Sequence, residues 1–115
     1  MNLKELEKLI IESCSCDKKH PFEGRYVVVR ANGSGVHSGY VLSYDDTTRT
    51  VFLNKSRRLW LWKGFTLSQV ANEGMADGAK VDQELPEIMI TNVLELIPCS
   101  DKAIKNLSEY KVFVP

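Results

Sequence analysis

The chain has 115 residues, of which 43% are hydrophobic and 26% charged, as in one ordinary globular domain. Fifteen basic residues balance fifteen acidic ones, so the molecule lacks the positive field that drives non-specific binding to nucleic acid. No apolar stretch is long enough to cross a bilayer, and the N-terminus lacks the basic start and apolar run of a signal peptide. Three cysteines predict free thiols rather than disulfides. These features predict a cytoplasmic protein without a membrane span.

The first predicted element is an amphipathic helix over residues 2–13. Apolar residues recur there at three- and four-residue steps between charged ones, which is the period of a helix with one apolar face. They are Leu3, Leu6, Leu9 and Ile10. The residues that follow, up to Gly24, show no period and predict a connector. We therefore divide the chain into an N-terminal helix and connector, residues 1–24, and a single β-rich domain, residues 25–115.

From Tyr26 onward the residues are β-branched and aromatic with turn signals between them, which predicts consecutive antiparallel hairpins. Asn32 and Gly33 are the dipeptide best suited to a type I′ turn, in which both central residues need a positive φ. Polar residues at 45–49 and 54–56 predict two further turns. The predicted strands of this meander are 26–30, 36–44, 50–53 and 57–62.

The next predicted element is a short helix. Thr66 and Gln69 form a capping-box pattern, and Gly74 suits a helix C-terminus, so the sequence predicts a helix over 67–73. Glycines and charged residues over 75–84 then predict an exposed loop.

The C-terminal segment begins with an ambiguous apolar stretch over 87–97, whose spacing fits both a strand and a helix. Its β-branched content and the flanking Pro86 and Pro98 favour a strand. Ser100 predicts the cap of a last helix, and residues 110–114 predict a terminal strand or arm. The whole pattern predicts an α+β fold, an antiparallel β-meander of about four to five strands with an N-terminal helix and one or two short helices.

The most informative segment is the last strand of the predicted meander. Leu59 and Leu61 lie on one face, because alternate side chains leave a strand on opposite sides, and we expect both to belong to the core. Arg58, Trp60 and Trp62 lie on the other face, where a guanidinium beside aromatic rings suits stacking on a base together with a hold on phosphate. The alternative is that both tryptophans are buried under a helix or in a contact between copies of the chain.

A glycine-rich turn is the second candidate site. Between Arg30 and His37, closely spaced glycines let backbone amides approach an anion. The segment is not a phosphate-binding P-loop, because the lysine and the hydroxyl residue that complete that motif are missing. The alternative is a plain hairpin turn with a bulge at Gly35 or Gly39.

Metal and catalytic patterns are weak. Cys14 and Cys16 are spaced more closely than in the usual structural zinc site, which also needs four ligands, so His20 and the distant Cys99 would have to join them. No cysteine or serine lies in a local nucleophile motif. We therefore expect no metal, no cofactor and no catalytic activity.

Five short motifs follow one another in the β-rich domain. They are Ser34 to Gly39, Arg57 to Trp62, Leu67 to Ala71, Pro86 to Ile88 and Ile97 to Cys99. In order and spacing they resemble a family of small phage and prophage proteins that carry a domain of unknown function, and the resemblance runs from about Arg25 to Ala103. The resemblance to phage proteins implies that the chain is the product of an accessory gene. Small accessory phage proteins are often inhibitors of host defence, and some enclose a nucleotide-derived immune signal without cleaving it.

The sequence thus predicts a non-enzymatic, homo-oligomeric accessory protein that binds and sequesters a nucleotide-like immune signal in the host cytoplasm. The candidate ligand-binding residues are Arg30, Ser34, Gly35, His37, Arg57, Arg58, Trp60 and Trp62. Two alternatives stay open. One is an inhibitor that binds a host defence enzyme through the tryptophan face, and the other is a local binder of single-stranded nucleic acid, which the neutral net charge disfavours.

Overall fold

The computed structural model describes residues 20–61 and 66–114, which form six strands and two helices. The strands are β1 (Tyr26–Ala31), β2 (Gly35–Asp45), β3 (Thr50–Leu61), β4 (Lys80–Val81), β5 (Leu85–Ile90) and β6 (Val93–Pro98); the helices are α1 (Leu67–Glu73) and α2 (Asp101–Glu109). An antiparallel sheet with two helices agrees with the predicted α+β class, but the number of strands exceeds the prediction. The predicted helix over 2–13 lies outside the described residues.

All six strands belong to one antiparallel sheet, in which β6, β1, β2 and β3 are neighbours in that order. β4 and β5 both pair with the remaining edge of β3, each along a different part of it. Because only two residues separate β5 from β6, Ile90 and Val93 lie at most about 11 Å apart. The sheet therefore curls until its two edges approach each other. There the amide of Val93 donates to the carbonyl of Arg49 in the β2–β3 turn, at 3.0 Å.

β3 is one continuous strand, although the sequence predicts two strands with a turn at 54–56. One residue of β2, Gly39, faces two residues of β3, Lys55 and Ser56, so the predicted turn is in fact a β-bulge. Lys55 takes φ 51° in the bulge. A Cβ on Gly39 would lie 3.0 Å from the carbonyl oxygen of Asn54, so the close approach of the two backbones requires glycine. The polar residues mark an irregularity within the strand and not its end.

The β1–β2 turn differs from the prediction. Asn32 does not have a positive φ, so the turn is not type I′. The amide of Asn32 donates to the carbonyl of Asn92 at 2.9 Å.

The segment 87–97 is extended, as predicted, but it forms parts of two strands. Asn92 takes φ 55° and interrupts the strand, which moves the chain from the edge of β3 to the edge of β1. The predicted loop over 75–84 contains the two-residue strand β4.

Both helices have the predicted caps. Thr66 Oγ1 accepts from the amide of Gln69 at 3.2 Å, the Gln69 side chain accepts from the amide of Thr66, and α1 ends at Gly74 with φ 86°. Ser100 Oγ accepts from the amide of Ala103 at the start of α2. The predicted helix over 67–73 and the capping role of Ser100 are confirmed. Neither described helix is long and apolar enough to span a membrane.

The sheet buries side chains on both of its faces. On one, which we call the helix-covered face, α1 and α2 pack over a core that includes Val28 and Leu59. On the other, the inner face, Val27, Val29 and Leu53 belong to a second core enclosed by the curl of the sheet. The burial of Leu59 confirms its predicted place in the core, whereas Leu61 is only half-buried.

Candidate ligand-binding site

β2 and β3 carry two consecutive cross-strand pairs whose side chains lie on opposite faces of the sheet. Ser38 lies opposite Arg57, and His37 lies opposite Arg58. His37 is also in register with Val29, a residue of the inner core. Since directly paired residues share a face, the pair His37 and Arg58 lies on the inner face. The pair Ser38 and Arg57 lies on the helix-covered face.

A cleft of about 110 Å³ lies on the inner face, between β3 and the segment that connects β4 to β5. It is lined by His37, Ser56, Arg58, Asp82, Gln83, Leu85 and Ile88. Ile88 also packs against the inner core. His37 and Ser56 are buried, whereas Arg58 is exposed. The cleft therefore combines buried polar groups with charges that solvent reaches.

His37 is 1% exposed, and its two ring nitrogens have different surroundings. Nε2 lies 3.1 Å from the carbonyl oxygen of Ser34, which only accepts, so Nε2 donates. Nδ1 is buried and has no hydrogen-bond partner among the described residues. Burial lowers the pKa of His37 below its ordinary value of 6.5, and the positive charge of Arg58 lowers it further. Both effects favour the neutral ring, in which Nε2 carries the proton and Nδ1 is an unpaired acceptor.

Ser56 contributes a second unpaired polar atom. Its side chain is 1% exposed, and its Oγ has no partner within the described part of the chain. A buried polar group without a partner costs about 1–3 kcal/mol, so such groups persist where a ligand or an ordered water completes the bond. Two of them in residues that line one small cleft make it the candidate binding site.

Arg58 lines the exposed side of the cleft, and Trp60 is connected to the lining through a hydrogen bond to Asp82. Within residues 20–61 and 66–114, no carboxylate lies within 4.0 Å of the Arg58 guanidinium. Asp82 accepts hydrogen bonds from the Trp60 indole N–H at 3.3 Å and from the amide of Gln83 at 2.8 Å. The Trp60 side chain is 60% exposed, and its ring centroid lies 6.4 Å from that of Phe113. Much of the indole is thus open to solvent beside the cleft.

Arg57 has a different role, because it is 3% exposed on the helix-covered face. Its guanidinium donates to the carbonyl oxygens of Asp82, Leu107 and Tyr110. The last two lie at the C-terminal end of α2, where the helix leaves carbonyls unpaired and its dipole favours a cation. Arg57 therefore anchors α2 to the sheet and does not line the cleft.

The glycine-rich turn contributes to the cleft only indirectly. Ser34 and Gly35 lie at the β1–β2 turn, and the carbonyl of Ser34 orients the His37 ring. Arg30 pairs with Glu95 at 2.7 Å, across β1 and β6. Of the residues predicted from the sequence, the structure brings together His37, Arg58 and Trp60.

Ser56 and Asp82 are cleft residues that the sequence analysis missed. Both fall in segments predicted as turn or loop, where solvent accounts for polar residues. The alternation of the strand contains a signal for Ser56, because Ser56, Arg58 and Trp60 share a face if β3 continues through the bulge. Trp62, the next residue in that alternation, lies outside the described residues.

The cleft does not have the geometry of a catalytic nucleophile. Ser56 and His37 both line it, but Oγ and Nδ1 have no partner among the described residues, so the serine is not bonded to a base. The other nitrogen of His37 bonds a backbone carbonyl and not a carboxylate. In the described ranges, no three His, Cys, Asp or Glu residues are placed to hold a metal ion. Cys14 and Cys16 lie outside those ranges.

Comparison with known proteins assigns the family. The model of a family defined by a domain of unknown function, DUF6948, matches residues 24–107, so the chain belongs to that family. No curated protein matches the chain. Among solved structures, an Sm protein of Pyrococcus abyssii in complex with a uridine heptamer is similar, with a TM-score of 0.43 and 17% identity, over 79% of this chain and 94% of that chain. The family carries no assigned activity, so the functional argument depends on the cleft.

Proposed function

We propose that this protein is a non-catalytic ligand-binding protein that sequesters a nucleotide-like anion at the cleft. The observation that carries the proposal is that two residues lining the cleft, His37 and Ser56, each have a buried polar atom, Nδ1 and Oγ, without a partner among the described residues. Beside them lie the cation of Arg58 and the open indole of Trp60. A nucleotide offers the three matching groups, a polar base edge, an anionic phosphate and a flat ring for stacking.

The size of the cleft constrains how such a ligand binds. Its volume of about 110 Å³ is smaller than the roughly 300–1,000 Å³ of a pocket that encloses a small molecule. One part of the nucleotide therefore enters, and the rest lies across the exposed side. Arg58 and Trp60 are placed to contact that outer part, which makes them the residues whose loss should weaken binding most clearly.

Sequestration is proposed in preference to turnover, because Ser56 and His37 are not joined as nucleophile and base. The resemblance to phage and prophage proteins supports the biological part of the proposal, in which the ligand is a nucleotide-like immune signal bound in the host cytoplasm. Self-association is also part of the proposal. Phe52 and Met89, exposed neighbours across β3 and β5, are a candidate contact surface. Sedimentation velocity tests it, and a monomer mass at all concentrations would contradict it.

A thermal-shift panel of linear and cyclic nucleotides and ADP-ribose tests ligand binding. We expect at least one compound to raise the Tm of the full chain, since a ligand at 100 times its Kd adds about 2.7 kcal/mol to the stability. Arg58→Met should weaken that compound's binding about tenfold or more, through loss of one charge-assisted contact. Arg30→Met is the matched control, because Arg30 pairs with Glu95 away from the cleft.

Three outcomes separate the possibilities. No response across the panel would overturn the proposal. Equal weakening by both arginine variants would place the ligand elsewhere. Conversion of the bound compound to a product, followed by chromatography, would make the protein an enzyme.

A host protein is the second candidate partner, because Trp60 is 60% exposed and tryptophan is enriched at protein interfaces. A pull-down from host lysate with the full chain tests this candidate, with Trp60→Ala as the control. Recovery of one protein by the wild type alone, together with a silent nucleotide panel, would favour this function over sequestration.

A further inference from the structure

The hydrogen-bond polarity of the cleft depends on which nitrogen of His37 carries the proton. The carbonyl oxygen of Ser34 has no proton to give, so its 3.1 Å contact with Nε2 requires an N–H on that nitrogen. A neutral imidazole has one N–H. The other nitrogen, Nδ1, therefore presents a lone pair. That atom is buried and has no partner among the described residues, and His37 is one of the residues that line the cleft.

The surroundings of the ring favour this neutral form. Arg58 lies directly opposite His37 on β3 and opposes a second positive charge there. The hydrogen bond to the Ser34 carbonyl acts in the opposite direction and favours protonation. Asp82, the other charged residue of the cleft, accepts from Trp60 and Gln83. The residues that β1 and β5 contribute around the ring and cleft are apolar: Val29, Leu85 and Ile88. Apolar burial also disfavours the charged imidazolium.

The remaining polar groups of the cleft complete a pattern. Asp82 is an acceptor, Ser56 Oγ is able to donate or accept, and Arg58 is a donor only. A ligand that fits all of these groups donates a hydrogen bond in the buried part of the cleft and presents an anion to Arg58. An inorganic anion such as sulfate satisfies Arg58 but leaves His37 Nδ1 unpaired.

We infer that the ligand donates a hydrogen bond from an amino group of a nucleobase to His37 Nδ1 while its phosphate contacts Arg58. The inference rests on the proposed function and narrows it to nucleotides whose base carries such a donor. It makes His37 a specificity-determining residue, whereas Arg58 provides affinity for any nucleotide anion.

A set of matched probes tests the inference on the wild-type full chain. The 3′,5′-cyclic monophosphates of adenosine, guanosine and cytidine carry an amino group on the base, and that of purine riboside carries none. All four phosphodiesters keep one charge between pH 5 and pH 8, so the phosphate does not titrate. At pH 7.5, calorimetry should show at least one amino-bearing probe binding about tenfold or more tightly than the purine riboside probe.

The pH dependence provides a second readout. Protonation turns Nδ1 from an acceptor into a donor, so the advantage of the amino-bearing probe should disappear as the pH falls through the lowered pKa of His37. His37→Phe removes the acceptor and should abolish discrimination at every pH. His37→Asn keeps an acceptor oxygen that does not titrate, and should retain discrimination without the pH dependence. If neither variant folds, the wild-type probe comparison still decides.

The outcomes distinguish this inference from the proposed function. Equal binding of the amino-bearing and purine riboside probes, or discrimination that persists in His37→Phe, would overturn the inference and leave sequestration standing. Binding of none of the four probes would overturn the inference. If the wider nucleotide panel were silent as well, the proposed function would also fall.

Discussion

The two cross-strand pairs at the centre of β2 and β3 illustrate how one pair of strands serves two purposes. On the helix-covered face, Ser38 bonds the hydroxyl of Tyr26 at 3.0 Å, and Arg57 donates to three carbonyls. On the inner face, one nitrogen of His37 is unpaired, and Arg58 has no carboxylate partner among the described residues. Neighbouring residues of the same strands thus stabilise the fold on one side and leave polar groups unpaired, among the described residues, on the other.

This difference follows from what covers each face. The two helices bring carbonyls to Arg57, including those at the unpaired end of α2, so the guanidinium is nearly satisfied and only Nη2 lacks a partner. Over the cleft no element supplies equivalent groups to His37 and Ser56 within the described residues. A buried polar group contributes to stability only when its partner is part of the fold.

The largest expected effect is that of replacing the buried arginine. Arg57→Met keeps an apolar side chain of similar length but leaves three carbonyls without their donor. The free energy of unfolding should fall by about 3 kcal/mol or more. Arg58→Met, the control at the adjacent position, should change it by less than about 0.5 kcal/mol, because Arg58 is exposed. Urea unfolding of both variants measures the contrast, and equal losses would contradict the assignment of the two faces.

A second expected effect concerns the helix-covered face at high pH. Burial raises the pKa of Tyr26 from 10.0 to about 12. The unfolded chain loses this proton near pH 10 and the folded chain near pH 12, so rising pH favours the unfolded state across that window. The stabilisation is complete below pH 10, and its loss reaches at most about 2.7 kcal/mol. The free energy of unfolding, measured at a series of pH values across that window, should fall less steeply with pH for Tyr26→Phe than for the wild type.

The Cys99 thiol has a pKa that is raised on folding, like that of Tyr26, so its contribution to the pH dependence must be controlled. Burial raises the pKa of its thiol from 9.0 to about 12, so it also contributes stability that is lost as the pH rises. The comparison of Tyr26 with Tyr26→Phe is therefore best made in a Cys99→Ser background. If the free energy of unfolding had the same pH dependence with and without Tyr26 in that background, the Tyr26 hydroxyl would titrate alike in the folded and unfolded protein.

Local patterns in the sequence predict most of the fold and only part of the site. The capping residues Thr66 and Ser100 determine where helices begin, and alternation correctly assigns Leu59 to the core. The continuity of β3 was not predictable, because Asn54 to Ser56 has turn composition and its bulge depends on Gly39 from another strand. Alternation separates Arg57 from Arg58, but the burial of Arg57 was equally hidden, since the carbonyls that hold it come from α2 and the residue after β4, far along the chain.

The most direct test of the account compares two buried serines, one from each face. Ser38 and Ser56 are both at most 1% exposed, but only Ser38 has a side-chain partner. In urea unfolding without ligand, Ser38→Ala should lose about 1–2 kcal/mol, because it leaves the Tyr26 hydroxyl unpaired. Ser56→Ala should leave the stability unchanged or raise it by about 1 kcal/mol, because it removes an unpaired polar group. A loss from Ser56→Ala as large as that from Ser38→Ala would show that the Ser56 hydroxyl serves the fold, and would contradict a cleft kept open for a ligand.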